Sequence, residues 1–260
     1  MSMKLRGCTL MNRSKHKFSE AELRLFRQLK DFGYSPEVVY DIGASNGMWT
    51  KVVRQVFPEA KYELFEPLAD KLPYYKEPQE AQLKEASNVR LHKIGLGDKN
   101  LNQEMAIYTG GFGSTFLEIE RIKSIADRLK QQNRLDEIAT FPVRRLDDYA
   151  TELNLPAPNI VKMDTQGFEL AILNGGNETL KKADILLLET WTYRGYGEST
   201  PLLHELMGPV AQLGFKLTDF GDIYWAPQHI LTSIDAIFMR TGFLEEIEIK
   251  TDGWGWQIWD

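Results

Sequence analysis

The 260-residue sequence is poor in the residues that build disulfides and zinc sites. Its single cysteine, Cys8, cannot form an intramolecular disulfide, and no group of Cys and His residues has the spacing of a zinc site. One cysteine near a terminus is typical of an incidental thiol. We therefore predict a protein of a reducing compartment, and we assign no metal site.

Long apolar runs and an excess of positive charge are also missing. No apolar run approaches the roughly 18 to 20 residues that span a bilayer, and the N-terminus has no apolar core of a secretory signal. The formal net charge of -6 disfavours a general nucleic-acid-binding surface. A hydrophobic fraction of 43% and a charged fraction of 26% are ordinary for a globular chain. These values predict a cytoplasmic protein without a membrane span and without a nucleic-acid partner.

Residues 38–50 predict a buried strand, a glycine-punctuated turn and the start of a helix. In doubly wound sheets this arrangement forms the mouth of a nucleotide-sized site. The turn from Gly43 to Gly47 lacks the middle glycine with which dinucleotide enzymes approach a pyrophosphate, and the carboxylate of Asp41 would repel one. A carboxylate there suits the ammonium and sulfonium groups of S-adenosylmethionine (SAM), so SAM is the favoured cofactor.

Acidic residues follow the next two predicted strands. Glu66 ends the strand 62–65, about 20 residues after Gly43, where doubly wound folds place a carboxylate that accepts both ribose hydroxyls. A solvated strand end is the alternative for Glu66. Asp98 follows the third predicted strand.

Two more carboxylates end uniformly apolar strands in the second half of the chain. Asp164 follows the strand 159–163, and Glu189 ends the run 183–188. Strands that alternate with helices and deliver carboxylates at their ends predict an α/β fold with a doubly wound, mostly parallel sheet and a site along its carboxyl edge.

Other segments receive structural predictions. Residues 68–88 predict an exposed helical insertion without chemistry. Residues 89–98 predict a third strand followed by a tight loop, where a purine ring could lie against Leu96. Asp147 predicts the N-cap of a short helix. Ser19 and Glu22 have the spacing of a capping box, which predicts the start of a helix.

Large rings and polar groups gather near the ends of the later predicted strands. We predict that they wall a substrate pocket, whereas ordinary surface loops, which large rings also build, are the alternative. The candidate substrate-binding residues are Gln166, Glu169, Trp191, Tyr193, Tyr224, Trp225 and His229.

The order and spacing of four motifs resemble the FkbM family of SAM-dependent methyltransferases. These motifs are the turn 41–47, Leu146-Asp147-Asp148, the segment 162–169, and Glu189 after an apolar strand. The resemblance covers roughly residues 38–240. It implies a class I methyltransferase fold, with a seven-stranded sheet whose last strand is antiparallel. It also implies O-methylation of a hydroxyl on a sugar, a polyketide or another small molecule.

The resemblance implies roles for the residues of the turn and of the strand ends. Asp164 is the preferred acceptor for the hydroxyl proton and Glu189 the second candidate, so these two are the candidate catalytic residues. The alternative for Asp164 is bonding to SAM or capping the next helix. Glu66 would bind the ribose, and Asp98 is a weaker candidate for binding the adenine amino group. The residues expected around SAM are Asp41, Gly43, Ala44, Ser45, Asn46, Gly47, Glu66, Asp98 and Asp164.

Two positions depart from the family pattern. Family members commonly have Asn where Ser45 stands and Glu where Gln166 stands, so Gln166 keeps the shape of a glutamate but loses its charge. The alternatives that stay open are methylation of a carboxyl or amine on a peptide or small molecule, and a non-catalytic binding protein that retains the fold.

We divide the chain into an N-terminal arm and helix (1–34), a SAM-binding methyltransferase domain (35–242) and a tryptophan-rich tail (243–260). Residues 1–17 carry five Lys and Arg residues and no carboxylate, which predicts a solvated tail or, alternatively, a lid over an acidic or glycan-like substrate. The three tryptophans of the tail predict an anchor on the domain or on a second subunit, so a homodimer is one alternative.

Overall fold

The computed structural model describes residues 20–226 and 229–250. Cys8, the basic arm, Ser19 and the three tail tryptophans lie outside the described residues. The lid, the homodimer contact and the domain limits therefore stay predictions. No helix within these two ranges is both long and apolar enough to cross a membrane.

The described chain forms a seven-stranded sheet, a three-stranded sheet and helices around them. The strands are β1 (Val38–Ile42), β2 (Lys61–Phe65), β3 (Val89–His92), β4 (Gly95–Gly97), β5 (Leu101–Tyr108), β6 (Leu135–Arg145), β7 (Ile160–Met163), β8 (Ile185–Trp191), β9 (Phe215–Trp225) and β10 (Leu231–Arg240). The helices are α1 (Glu20–Asp31), α2 (Met48–Val56), α3 (Pro73–Glu85), α4 (Ile119–Ser124), α5 (Ala126–Gln131), α6 (Leu146–Glu152), α7 (Glu169–Gly175), α8 (Asn177–Leu180), α9 (Leu203–Gln212) and α10 (Thr241–Lys250).

The large sheet has the strand order β3-β2-β1-β7-β8-β10-β9. The five strands from β3 to β8 in this order pair in parallel, whereas β10 is antiparallel to both of its neighbours. The predicted mostly parallel seven-stranded sheet with an antiparallel last strand is therefore confirmed. The strand order reverses between β1 and β7, which is the point where doubly wound sheets bind their ligands.

Helices cover both faces of this sheet. Phe26, Val53 and Phe243 bring α1, α2 and α10 into one apolar cluster, and Ile172 and Leu206 bring α7 and α9 into the other. All five residues of β1 are buried. Strands that are covered on both faces need apolar side chains at successive positions, which explains the uniformly apolar runs in the sequence.

Residues 95–97 are a strand, so the expected tight loop is wrong there. Gly95–Gly97 pairs in parallel with β6. A Cβ on Gly95 would lie 2.9 Å from Phe116 Cζ, and one on Gly97 would lie 2.8 Å from Phe168 Cε1, so the packing requires glycine at both positions. A strand of three residues with two glycines has no alternation of polar and apolar side chains by which to predict it.

Helix α3 is not the merely exposed insertion that its polar sequence predicts. Gln79 and Gln82 are buried, and Gln82 Nε2 donates to the carbonyl oxygen of Gly47 at 2.8 Å. Gln79 Nε2 donates to the carbonyl oxygen of Ser45. Polar side chains can be buried when they bond backbone carbonyls, so α3 packs on the glycine turn and supports it.

Asp147 does not cap its own helix, contrary to expectation. Its carboxylate accepts the backbone N–H of Glu178 at 3.0 Å and that of Thr179 at 2.8 Å. These two N–H groups belong to the first turn of α8. Asp147 is therefore a capping residue, but it caps α8 and not α6, the helix in which it lies.

Asp147→Ala is expected to lower the free energy of unfolding by about 1 kcal/mol, the usual loss for a helix cap. Asp148→Ala is the control, because the Asp148 carboxylate makes only exposed contacts, with Asn100 and Arg145. It should change stability by less than about 0.5 kcal/mol. Urea unfolding measures both values, and equal losses would contradict the assignment.

Candidate functional site

A cavity of about 450 Å³ opens at the carboxyl ends of β1, β2, β7 and β8. Its volume is typical of a small-molecule site, and it lies at the reversal point of the strand order. Ala44, Glu66, Asp164 and Glu189 are among its lining residues, and residues 111–114 form part of its wall. The fold thus brings these four predicted site residues to one cavity, together with Gly43, Ser45, Asn46, Gln166 and Tyr224.

Gly43 holds the turn after β1 against the end of β7. Its N–H and that of Ala44 both donate to the carbonyl oxygen of Phe65, at 2.9 and 3.1 Å. Gly43 has a left-handed φ of 75°, and a Cβ there would lie 2.0 Å from the carbonyl oxygen of Asp164. Glycine tolerates a left-handed φ and has no Cβ, so only glycine allows the end of β1 to approach the end of β7 this closely.

The remainder of the turn leads into α2. Gly47 caps this helix with a φ of 74°, and a Cβ on it would lie 2.6 Å from Gln82 Nε2. Ser45 and Asn46 line the cavity, and Ser45 also has a left-handed φ, of 50°. The Asn46 side chain accepts the N–H of Met48 at 3.1 Å. The turn therefore presents a fixed backbone surface to the cavity.

Glu66 is a buried carboxylate that lines the cavity. Its Oε2 accepts the N–H of Ser45 at 2.8 Å, and its Oε1 accepts that of Leu68 at 2.9 Å. Burial raises the pKa of Glu66 to about 7, although the two N–H groups favour the ionised form. The predicted ribose acceptor is thus fixed beside the glycine turn.

Asp41 lies beneath the cavity and does not line it. The side chain is fully buried, and Thr50 Oγ1 donates to its Oδ2 at 2.7 Å. Lys162 Nζ lies 3.5 Å from Asp41 Oδ1 and 3.6 Å from Asp164 Oδ2, and donates to the carbonyl oxygen of Gly43 at 3.1 Å. Burial lowers the pKa of Lys162, but Asp164 and Asp41 more than offset it, so that its pKa is raised overall. Asp41 and Lys162 therefore join β1 to β7 electrostatically.

Gln166 connects the two candidate catalytic carboxylates. Its Nε2 donates to Asp164 Oδ1 and, at 2.7 Å, to Glu189 Oε2. Asp164 is the more open of the two, with 41% of its side chain exposed, whereas Glu189 is buried. Burial and the nearby carboxylates of Asp164 and Glu169 raise the pKa of Glu189 well above its usual range.

Three acidic residues of the cavity were not predicted from the sequence. Glu22 on α1, Asp222 on β9 and Asp235 on β10 all line it. Burial raises the pKa of Glu22 to about 7, and burial together with Glu22 raises the pKa of Asp235 well above its usual range. Among the described residues, no group of three or more His, Cys, Asp or Glu side chains is arranged to hold a metal ion. This end of the cavity is acidic, with Lys162 as a buried counter-charge.

Several predicted substrate residues do not reach the cavity. Tyr224 lines it, whereas Trp191, Tyr193, Trp225 and His229 do not.

Two other predicted residues also lie elsewhere. Glu169 is fully buried, and its Oε1 accepts the N–H of Thr165 at 2.8 Å, so it organises the turn before α7. Asp98 is exposed and lies outside the cavity lining, whereas Leu96, two residues earlier, is part of it.

Comparison with known proteins yields both a family and individual relatives. Residues 41–217 match the family model of the methyltransferase FkbM domain. Over 186 residues the chain is 25% identical to the 2-O-methyltransferase NoeI of Sinorhizobium fredii, a match that covers 70% of this chain and 75% of that protein. Over 144 residues it is 27% identical to methyltransferase 1 of Beauveria bassiana, covering 53% of this chain and 57% of that one.

A solved structure of a methyltransferase FkbM from Methylobacillus flagellatus is also similar, with a TM-score of 0.47 and 18% identity. The match covers 79% of this chain and 43% of that one. The family match itself extends over more than half of the present sequence and includes the glycine turn, Glu66, Asp164 and Glu189. The resemblance drawn from the four motifs is thereby confirmed, and the chain belongs to the FkbM family of methyltransferases.

Proposed function

We propose that this methyltransferase uses SAM to methylate a hydroxyl of a sugar, a polyketide or another small molecule. The observation that carries the proposal is the buried Glu66 carboxylate, fixed beside the glycine turn in the cavity that also contains Asp164. The printed name of the relative from Sinorhizobium fredii, a 2-O-methyltransferase, supports the choice of a hydroxyl acceptor.

The residues of the cavity fit SAM. Each Glu66 oxygen accepts one backbone N–H and keeps a further lone pair for a ribose hydroxyl. Residues 43–46 would hold the methionine part, and the adenine would lie against Leu96. The acidic end of the cavity complements a cofactor with a net positive charge. When bound, SAM supplies a methyl group that its sulfonium makes electrophilic.

Asp164 is the proposed acceptor of the hydroxyl proton. Gln166 holds its Oδ1, and the Lys162 ammonium lies 3.6 Å from its Oδ2, which balances part of the local negative charge. The exposed fraction of the side chain allows a bound hydroxyl to approach Oδ2, which takes the proton as the ether bond forms. Glu189 is the second candidate for this role. The walls of the cavity orient the acceptor, and orientation is the main requirement of methyl transfer.

Calorimetry with SAM and S-adenosylhomocysteine (SAH) tests the cofactor. If neither SAM nor SAH bound to a folded sample, the assignment of SAM as the cofactor would be refuted. Mass fragmentation of a methylated product then locates the new methyl group. A methyl group on a carboxyl or amine would replace the proposed hydroxyl acceptor, and SAM binding without turnover of any acceptor would favour a non-catalytic binding protein.

Glu66→Gln is expected to weaken SAM and SAH binding alike, by about ten- to a hundredfold, because hydrogen bonds to a charged acceptor contribute about 1.5–3 kcal/mol. The affinity of the wild-type protein should fall below about pH 7, where Glu66 takes up a proton and loses an acceptor oxygen. Exposed Glu59 supplies the control, since Glu59→Gln leaves the cavity intact. Calorimetry across pH measures these effects. Unchanged affinity of Glu66→Gln for SAM and SAH would contradict the assignment of Glu66 to the ribose.

A further inference from the structure

The Gln166 side chain occupies a constrained position between the candidate catalytic carboxylates. Its backbone has a left-handed φ of 58°, and its carbonyl oxygen accepts the hydroxyl of Thr115 at 2.9 Å. Both hydrogens of its Nε2 are engaged, one by Asp164 and one by Glu189. The backbone of Gln166 is thus fixed, but the amide group can still rotate by half a turn about its last bond.

Tyr196 supplies the contact that selects one orientation of this amide. Its hydroxyl donates to Gln166 Oε1. Tyr196 lies in the loop between β8 and α9, where its N–H donates to Thr200 Oγ1 at 3.0 Å. Its ring packs edge-on against Trp191, with the ring centroids 5.2 Å apart. The phenol is therefore held from both its backbone and its ring.

We propose that Tyr196 is a positioning residue of the methyl-transfer site, whose hydroxyl holds the Gln166 amide with both N–H groups toward Asp164 and Glu189. The inference rests on the proposed function, because it assigns this geometry to the site of SAM and the acceptor. No role for Tyr196 follows from the motifs of the sequence.

The orientation of the amide controls the charge of the carboxylate pair. An ionised carboxylate only accepts hydrogen bonds, so it is stabilised by an N–H and repelled by an amide oxygen. Without the Tyr196 hydroxyl, the amide can turn its oxygen toward the pair, and one carboxyl then retains a proton to a higher pH. The charged and titratable groups that act electrostatically on the pair or on its neighbours include Glu22, Asp41, Tyr75, Lys162, Glu169, Asp222, Tyr224 and Asp235.

The difference in affinity between SAM and SAH reports this charge without an acceptor substrate. SAM carries a sulfonium, whereas SAH does not, so an ionised Asp164 and Glu189 pair favours SAM. Calorimetry measures the affinity for each ligand from about pH 5 to about pH 9, a range that includes raised carboxyl pKa values. The ratio of the two affinities, plotted against pH, gives the midpoint at which the preference for SAM appears. In Tyr196→Phe this midpoint should rise by about 0.5 to 1 pH unit, the equivalent of one lost hydrogen bond.

Two further variants make the test specific. Tyr34→Phe also removes a tyrosine hydrogen bond to a side chain, 3.0 Å to Asp184 Oδ2, but Tyr34 does not line the cavity, so the midpoint should not move. Gln166→Met removes both N–H donors and should raise the midpoint. Adding Tyr196→Phe to Gln166→Met should then cause no further shift, because the hydroxyl acts through the amide.

The outcomes separate this inference from the proposed function. Absence of SAM binding in the wild-type protein would overturn the cofactor assignment and the inference with it. SAM binding with the same midpoint in the wild type and in Tyr196→Phe would overturn only the inference. Equal shifts in Tyr196→Phe and Tyr34→Phe would do the same, since they would indicate a general loss of stability.

Discussion

Gly43→Ala should abolish SAM binding and lower the free energy of unfolding by about 3 kcal/mol. A Cβ at this position would lie 2.0 Å from the carbonyl oxygen of Asp164, far inside van der Waals contact. Overpacking of this kind costs about 1–3 kcal/mol, and a left-handed φ adds about 1–2 kcal/mol for a residue with a side chain. Relief of the clash must move the turn away from β7, which separates the two halves of the cavity. Calorimetry with SAM and urea unfolding measure the two effects.

Gly214→Ala is the matched control for that substitution. Gly214 has a left-handed φ of 90°, but a Cβ on it would meet no atom within 4 Å. The control therefore carries the conformational strain alone and should lose about 1–2 kcal/mol with SAM affinity unchanged. If the two variants lost the same stability and both bound SAM, the close approach of β1 and β7 would have no importance for the site.

Asp164→Asn should reduce kcat by about 10²- to 10⁴-fold, the usual contribution of a positioned proton acceptor. Asparagine preserves the shape of the side chain but cannot take the acceptor proton. Binding of SAH should change much less than kcat, because SAH lacks the sulfonium that the carboxylate would face. Single-turnover kinetics with a methyl acceptor, combined with SAH calorimetry, separates the two effects.

Asp98→Asn serves as the control, since Asp98 is exposed and lies outside the cavity lining. Its kcat and SAH affinity should match those of the wild type. If Asp164→Asn kept the wild-type kcat while Glu189→Gln lost activity, Glu189 would be the acceptor of the hydroxyl proton.

The part of the site proposed to bind SAM was largely predictable, because its residues follow one another closely in the sequence. The turn from Gly43 to Gly47 and the carboxylate of Glu66 follow consecutive strands, and the carboxyl ends of neighbouring parallel strands meet at one edge of a sheet. The same reasoning correctly predicted Asp164 and Glu189 at that edge. It wrongly predicted that Asp41 contacts the ligand, because a residue within β1 can face the interior as readily as the cavity.

Other residues that line the cavity or support its turn were not predictable to the same degree. Glu22 resembled an ordinary capping residue, and Asp235 is a single acid in an otherwise apolar strand, so neither has a local pattern that indicates a site. Gln79 and Gln82 gave α3 a polar, surface-like sequence although both side chains are buried against the turn. The roles of these residues depend on contacts between elements that are distant in the sequence, and the periodicity within one element does not predict such contacts.

The insertion of β10 between β8 and β9 determines when the site can be completed during synthesis. The glycine turn, Glu66, Asp164 and Glu189 all precede residue 190, whereas Asp235 is paired with Glu189 only after the last strand has entered the sheet. A nascent chain can thus carry the residues proposed to bind SAM while the side of the cavity that Asp235 lines is still open. Premature termination before β10 would yield a fragment that has the residues proposed for SAM but lacks the strand that carries Asp235.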